Sequence, residues 1–188
     1  MFRIGIKIGK SMSFVVEYAA VEEYIEQRFG GLKEYIIECK SIERRKYNIN
    51  FSFSDELYYC DEEGYPCPQI KVLARYTASE ENIAFNVSEL RNKLQDIKQE
   101  IYRGKYALPY NILFDYIDII ILHELAHVYQ YKILERSMKR NDTDIENEAD
   151  KFAIDWYRDI SVKEGKTLDN INKVIEIYNK NRENKNLF

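Results

Sequence analysis

The feature that most constrains this chain is a short apolar run that carries both of its histidines. Residues 119–130 read IIILHELAHVYQ, so His123 and His127 are four residues apart and flank Glu124. Residues four apart on an α-helix share one face, about 6 Å apart along the axis, so two imidazoles there can reach one metal ion. The run therefore predicts a buried helix with a metal site. The alternative is a core helix whose histidines bond to neighbouring polar groups.

Glu124 follows the first histidine directly, so its carboxylate is offset from the line that joins the two imidazoles. This offset favours a position beside the metal, where a water molecule would bind, over a place among the ligands. Zinc lowers the pKa of such a water towards about 7, and a neighbouring carboxylate can accept its proton. The motif therefore predicts metal-assisted hydrolysis with Glu124 as the general base, as in HExxH metallopeptidases.

The third ligand must come from a carboxylate or a cysteine, because a catalytic zinc usually has three protein ligands and no histidine remains. Residues 144–150, DIENEAD, follow the motif after a short loop. Glu146 and Asp150 share one helical face, whereas Glu148 lies about 200° around the helix from Glu146. Asp150 could accept the second ring N–H of a ligand histidine and fix its tautomer. The spacing therefore favours Glu146 over Glu148 as the third ligand.

Composition and charge narrow the class of protein. The net charge of −4 argues against a general nucleic-acid or membrane-surface binder. Three cysteines do not make a disulfide framework, and they indicate ordinary thiols in a reducing compartment. The N-terminus lacks the apolar core of a signal peptide, and the apolar run is too polar to span a membrane. We therefore expect a cytoplasmic protein.

The first half of the chain is predicted to contain a small sheet. A strand at residues 3–8 precedes a helix that is expected to end at Gly30-Gly31, and residues 34–42 fit either a helix or a strand. The composition of residues 61–68, DEEGYPCP, predicts a loop. Three runs alternate in polarity and predict short antiparallel strands over residues 47–53, 70–76 and 83–87.

The second half is predicted to be helical. Ser88 is expected to cap the first of its helices and Gly104 to end it. The charged tail at residues 179–188 is expected to be frayed. Apolar periodicity places the helices at residues 88–102, 111–137, 143–160 and 168–178.

HELAH at residues 123–127, followed by ENEADKFA at residues 146–153, resembles the gluzincin class of zinc metallopeptidases. It looks most like the compact minigluzincins and the ImmA/IrrE-type peptidases, over about residues 70–156. SprT-like proteases differ, because they use a third histidine. The resemblance implies one Zn²⁺ held by His123, His127 and Glu146, with Asp150 behind a ligand.

The resemblance also implies a fold and a substrate path. The fold is α+β and zincin-like: a small twisted, mostly antiparallel sheet packs on the HExxH helix, and C-terminal helices follow. Residues 83–87 would be the edge strand that borders the cleft, and a peptide or protein substrate would pair with it. The oxyanion-stabilising residue of the class cannot be carried over, and Tyr157 fits a packing role better.

The sequence thus predicts a cytoplasmic zinc-dependent endopeptidase with Glu124 as the general base. The alternative is a latent or inactive zincin-fold protein that binds zinc without cleaving and regulates a protein partner such as a repressor. In a latent protease, residues 1–45 or the charged tail would cover the cleft. We expect an N-terminal appendage at residues 1–45 and a metallopeptidase domain at residues 46–188, or a single domain over residues 1–188.

Overall fold

The computed structural model describes residues 15–39, 49–60, 65–104, 112–135 and 143–183. Within these ranges the chain has an α+β fold, as predicted, and most of its regular structure is helical. The helices are α1 (Tyr18–Cys39), α2 (Val87–Tyr102), α3 (Asp115–Lys132), α4 (Thr143–Lys163) and α5 (Leu168–Glu183). The strands are β1 (Asn50–Phe53), β2 (Tyr58–Cys60), β3 (Pro66–Lys71), β4 (Ala74–Thr77) and β5 (Asn82–Phe85). The strand predicted at residues 3–8 lies outside the described ranges.

Helix α1 continues through the glycine pair that was expected to end it. Phe29, Leu32 and Ile36 are 2–3% exposed and pack in the core on both sides of the pair. A glycine inside a helix costs about 0.5–1 kcal/mol relative to alanine, whereas burying one large apolar side chain contributes about 1.5–3 kcal/mol. Packing therefore outweighs the propensity of Gly30 and Gly31, and residues 34–39 are helical.

Three strands form a mixed sheet in the order β1-β5-β4. β4 and β5 are antiparallel because a short turn at residues 78–81 joins them. β1 is parallel to β5, and the chain passes through β2, β3 and β4 between them. The prediction of an antiparallel sheet is therefore correct for one pair of strands and wrong for the other.

The prediction that residues 83–87 form the edge strand beside the site is wrong. β5 lies in the centre of the sheet and pairs on both sides. Its Ile83 and Phe85 are fully buried, which suits a central strand and not an edge. Among the strands of the described ranges, the edge strand that packs against α3 is instead β4.

Strands β2 and β3 form a separate antiparallel hairpin, in which Tyr59 is paired with Cys67. The end of the loop predicted at residues 61–68 therefore belongs to β3. The strand predicted at residues 70–76 is divided between β3 and β4. Periodicity could not show this division, because the apolar run continues across the break.

The four helices described in the second half correspond to the four predicted helices and differ from them at their ends. The side chain of Asn86, not that of Ser88, caps α2 by accepting from the N–H of Glu89 at 3.1 Å. Gly104 follows α2 in the left-handed region, with φ of 75°, as expected for a helix terminator. Helix α5 extends to Glu183, so the prediction of a frayed tail is wrong for residues 179–183.

Helix α3 lies at the centre of the fold and packs against α1, α4, α5 and β4. Fifteen of its eighteen residues are buried, so each polar side chain on it must find a partner inside the protein. None of the helices in the described ranges is both long and apolar enough to cross a membrane. The polar residues of α3 therefore form the natural starting point for a functional site.

Candidate metal centre

Helices α3 and α4 bring together the three predicted ligands, His123, His127 and Glu146. The Nε2 atoms of the two histidines are 3.1 Å apart. Glu146 Oε2 is 3.3 Å from His123 Nε2, and Glu146 Oε1 is 3.4 Å from His127 Nε2. The ligand atoms all lie within 4.8 Å of one another, and this group, here named the His–Glu cluster, could hold a metal ion.

The far side of the His123 ring contacts Asp150. Nδ1 of His123 lies 2.8 Å from Asp150 Oδ1, so this nitrogen carries the hydrogen and donates it to the carboxylate. The lone pair of the neutral ring is then on Nε2, the atom that faces Glu146. Asp150 thus lies where the sequence prediction required, one helical turn after Glu146 and behind the first histidine.

Gln130 accepts the ring hydrogen bond of His127, as Asp150 does for His123. Its Oε1 lies 3.0 Å from His127 Nδ1, and its Nε2 donates to the Ile145 carbonyl at 2.8 Å and to Glu148 Oε2 at 3.0 Å. Because the amide nitrogen is used in this way, the oxygen must accept from the ring. Gln130 is fully buried, which holds both groups in place.

When both rings are neutral, two unprotonated nitrogens and a carboxylate face one another at 3.1–3.4 Å, and a cation among them would be stabilised by all three groups. Without a metal, a proton takes that place. Burial acts to lower the pKa of His123, but hydrogen bonds to Asp150 and Glu146 outweigh it and raise the pKa to about 9. Burial acts to raise the pKa of Glu146, but the two histidines hold it well below its usual range.

Glu124 is 6% exposed and lies between the His–Glu cluster and the sheet. Its Oε2 accepts a hydrogen bond of 2.7 Å from the backbone N–H of Tyr76 in β4. Its negative charge also contributes to the raised pKa of His123. The predicted general base is thus held against β4 and close enough to His123 to act on it electrostatically.

Helix α5 supplies two residues that the sequence interpretation missed. The Tyr178 hydroxyl donates to Asp150 Oδ1 at 2.5 Å and lies 3.3 Å from His123 Nδ1. Arg182 contacts Asp150 Oδ2 through Nε at 2.9 Å and through Nη2 at 2.8 Å. The available signal was weak: the two residues are four apart on one helical face, but periodicity assigns Tyr178 to the apolar stripe.

The remaining candidates lie elsewhere. Glu148 binds Gln130 and is not part of the His–Glu cluster. The Tyr157 hydroxyl donates to Asp115 Oδ2 at 3.0 Å inside the core, which agrees with a packing role.

Comparison of the chain with protein-family models, curated proteins and solved structures gives no significant match. The functional proposal below therefore rests on the geometry and chemistry of the site.

Proposed function

We propose that this protein is a zinc-dependent endopeptidase of the gluzincin type. The observation that supports the proposal most strongly is the convergence of His123, His127 and Glu146, with the carboxylate of Glu124 next to the first histidine. Two imidazoles and one carboxylate are the donor set of His₂Glu catalytic zinc sites, in which a fourth position stays open for substrate or water. Bound zinc would act there as a Lewis acid and increase the acidity of water.

The role of Glu124 follows from its position. Its carboxylate accepts the proton of the attacking water and passes it to the leaving amine, as a general base and then a general acid. The N–H of Tyr76 holds one oxygen of this carboxylate, which limits its rotation. Asp150 and Gln130 keep the two histidine rings oriented throughout the cycle.

The substrate would bind along β4. In the part of the chain that the structure describes, this strand is at the edge of the sheet and packs on α3, so an extended peptide beside it would pass close to Glu124. Main-chain hydrogen bonds to an edge strand provide affinity that depends little on the sequence of the peptide. We therefore propose a peptide or protein substrate, and we propose the cytoplasm as the compartment, which the cysteine content favours.

The test is the substitution Glu124→Gln, which keeps the shape and the contact with Tyr76 and removes the base. We expect zinc to bind in a 1:1 ratio and cleavage of a pool of quenched fluorescent peptides to fall by about 10²–10⁴-fold. Metal analysis and peptide turnover, with chelator-treated protein as the blank, measure both quantities. Wild-type activity in the Gln variant would contradict the role of Glu124.

A second candidate is a latent or inactive zincin-fold protein that binds zinc and regulates a protein partner. It is favoured by the contact between Arg182 Nη2 and Glu146 Oε2 at 3.3 Å, in which a cation shares the carboxylate of the third ligand. This candidate predicts that wild-type protein binds zinc and cleaves no peptide in the pool. The endopeptidase proposal predicts turnover that is lost with chelator and restored by zinc.

A further inference from the structure

We infer that the C-terminal helix is a working part of the metal centre, in which Tyr178 and Arg182 are positioning residues that hold Asp150 and Glu146 in place. This inference rests on the proposed function, because it concerns the same zinc site. It also differs from the expectation that the charged tail covers the cleft. A cover would reduce access to the metal, whereas positioning residues increase the affinity for it.

Asp150 is held from both sides. Its Oδ1 accepts from His123 Nδ1 at 2.8 Å and from the Tyr178 hydroxyl at 2.5 Å. Its Oδ2 accepts from Arg182 Nε at 2.9 Å and contacts Nη2 at 2.8 Å. Because both oxygens are engaged, the carboxylate is held in one orientation, and that orientation presents an acceptor to the ring of His123.

Arg182 also joins Asp150 to the third ligand. Its Nη2 contacts Asp150 Oδ2 at 2.8 Å and Glu146 Oε2 at 3.3 Å. Glu146 and Asp150 are like charges one turn apart on α4, which is unfavourable by a few tenths of a kcal/mol even on an exposed helix. A guanidinium group with donors in a fixed plane can offset this repulsion and hold both carboxylates at once.

The geometry favours positioning over competition with the metal. Two of the three contacts of Arg182 are to Asp150, which is not a member of the His–Glu cluster, and the contact to Glu146 is the longest. Arg182 is therefore anchored behind the ligands. Its single positive charge balances only one of the negative charges of Glu124, Glu146 and Asp150, so a divalent cation is still accommodated.

The experiment compares zinc affinity in variants of the full chain. The set is Arg182→Ala, Arg182→Lys and Tyr178→Phe, with Lys173→Ala as the matched control, since Lys173 is on the same helix and pairs with Asp169 on the surface. Competition with a chromophoric chelator gives the zinc dissociation constant. Thermal unfolding in chelator identifies any variant that loses the fold.

We expect Arg182→Ala to weaken zinc binding by about 10–100-fold, the usual effect of removing a group that orients a ligand. Arg182→Lys should recover part of this loss, because an ammonium keeps the charge but cannot reproduce the fork of the guanidinium. Tyr178→Phe should weaken zinc binding less, by about 10-fold, because Arg182 still holds Asp150. Lys173→Ala should bind zinc as the wild type does.

A second readout needs no zinc. In metal-free protein at a pH above about 9, where the His123 ring is neutral, nitrogen NMR reports which ring nitrogen carries the hydrogen, and Arg182→Ala should convert the single Nδ1–H form into a mixture of the two tautomers. Unchanged or tighter zinc binding in folded Arg182→Ala protein, or an unchanged ring signal, would overturn the inference. Wild-type protein that binds no zinc would instead contradict the proposed function, and the NMR result would still decide whether Arg182 positions His123.

Discussion

Helix α3 carries two clusters of buried polar side chains, and the two clusters differ in the groups that compensate their charges. At its N-terminal end, Asp118 pairs with Arg28 at 2.8 Å and Asp115 pairs with Lys166 at 3.0 Å, and these four residues form what we name the ion-pair cluster. The Tyr24 hydroxyl donates a further hydrogen bond to Asp118 at 2.9 Å. Each buried carboxylate here faces a cation and a proton donor.

The His–Glu cluster lies two turns further along the same helix and has the opposite arrangement. The Nδ1–H groups of its two histidines donate hydrogen bonds to Asp150 and Gln130. The atoms that face one another, the two Nε2 atoms and the Glu146 carboxylate, are then all acceptors. The ion-pair cluster also lies in the first turn, where the helix dipole stabilises negative charge, and the His–Glu cluster is too far along to benefit. The difference indicates that the first cluster is balanced by cations of the chain itself, whereas the second, which Arg182 contacts through Glu146 at 3.3 Å, could in addition hold a metal ion.

The largest expected effect comes from removing a member of the His–Glu cluster. Glu146→Gln should reduce zinc affinity by more than the roughly 100-fold that the loss of an orienting partner costs, because it replaces a ligand oxygen and its charge. The matched control is Glu148→Gln, the same change two residues along α4 at a side chain that contacts Gln130. Titration calorimetry with zinc measures both. A larger loss in the Glu148 variant would reverse the ligand assignment.

Breaking the ion-pair cluster should change stability and not metal binding. Arg28→Ala leaves Asp118, which is 1% exposed, without its cation, and this should destabilise the fold by about 3 kcal/mol. Zinc affinity of the folded protein should stay unchanged, because the partners of Arg28 are Asp118 and Glu164. Urea unfolding and zinc titration of the same sample provide the two measurements, and a parallel loss of zinc affinity would contradict the separation of the clusters.

The pH dependence of that variant has a defined sign. Burial raises the pKa of Asp118 to about 6, above the value near 4 of an exposed aspartate. A carboxyl group with a raised pKa in the folded state favours folding when it is protonated. Arg28 lowers the pKa of Asp118 in the intact protein, so removing Arg28 raises this pKa further. The Arg28→Ala protein should therefore recover part of its stability as the pH falls from above about 6 to about 4.

A smaller effect is expected from Gln130, which orients His127. Gln130→Met preserves the volume and removes both the acceptor for the ring and the donor to Ile145, so zinc affinity should fall by about 10–100-fold. Gln27→Met, at an exposed position of α1 where the side chain bonds to Glu23, is the control. If both variants bind zinc equally well, Gln130 has only a packing role.

The contrast between the clusters also shows which parts of the molecule the sequence could predict. The His123–His127 and Glu146–Asp150 pairs depend on one helical turn each, so local spacing is enough to place them on common faces. The exclusion of Glu148 from the metal group likewise follows from its angle around α4. Local patterns of this kind need no knowledge of how the helices pack.

What the sequence could not provide depends on tertiary packing. Gly30-Gly31 resembles a helix end, and only the burial of Phe29 and Leu32 on either side explains why α1 continues. The parallel pairing of β1 with β5 depends on where the chain returns, which periodicity does not encode. Arg182 is separated by 32 residues in sequence from Asp150, so no local pattern could have joined them.

The smallest expected effect is the dependence of zinc affinity on pH, which tests whether a proton on His123 competes with the metal. His123 has its pKa raised to about 9 by Asp150 and Glu146 against the effect of burial, so metal must displace a proton from it at neutral pH. Zinc affinity should therefore rise by about tenfold per pH unit between about pH 6 and pH 8, and flatten near about pH 9. Glu146 should not add to this slope, because the histidines hold its pKa well below its usual range.

The same proton stabilises the metal-free fold. Because the folded-state pKa of His123 is raised above the unfolded value of about 6.5, its contribution is complete below that pH and is lost as the pH rises through about 9. Asp150→Asn removes the negative charge that stabilises protonated His123 and keeps only a neutral acceptor, so it should lower the pKa of His123 and move both transitions to lower pH. Equal zinc affinities at pH 6 and pH 8, after correction for metal binding by the buffer, would show that no proton occupies the place of the metal. The charges of the His–Glu cluster would then be balanced within the chain, like those of the ion-pair cluster.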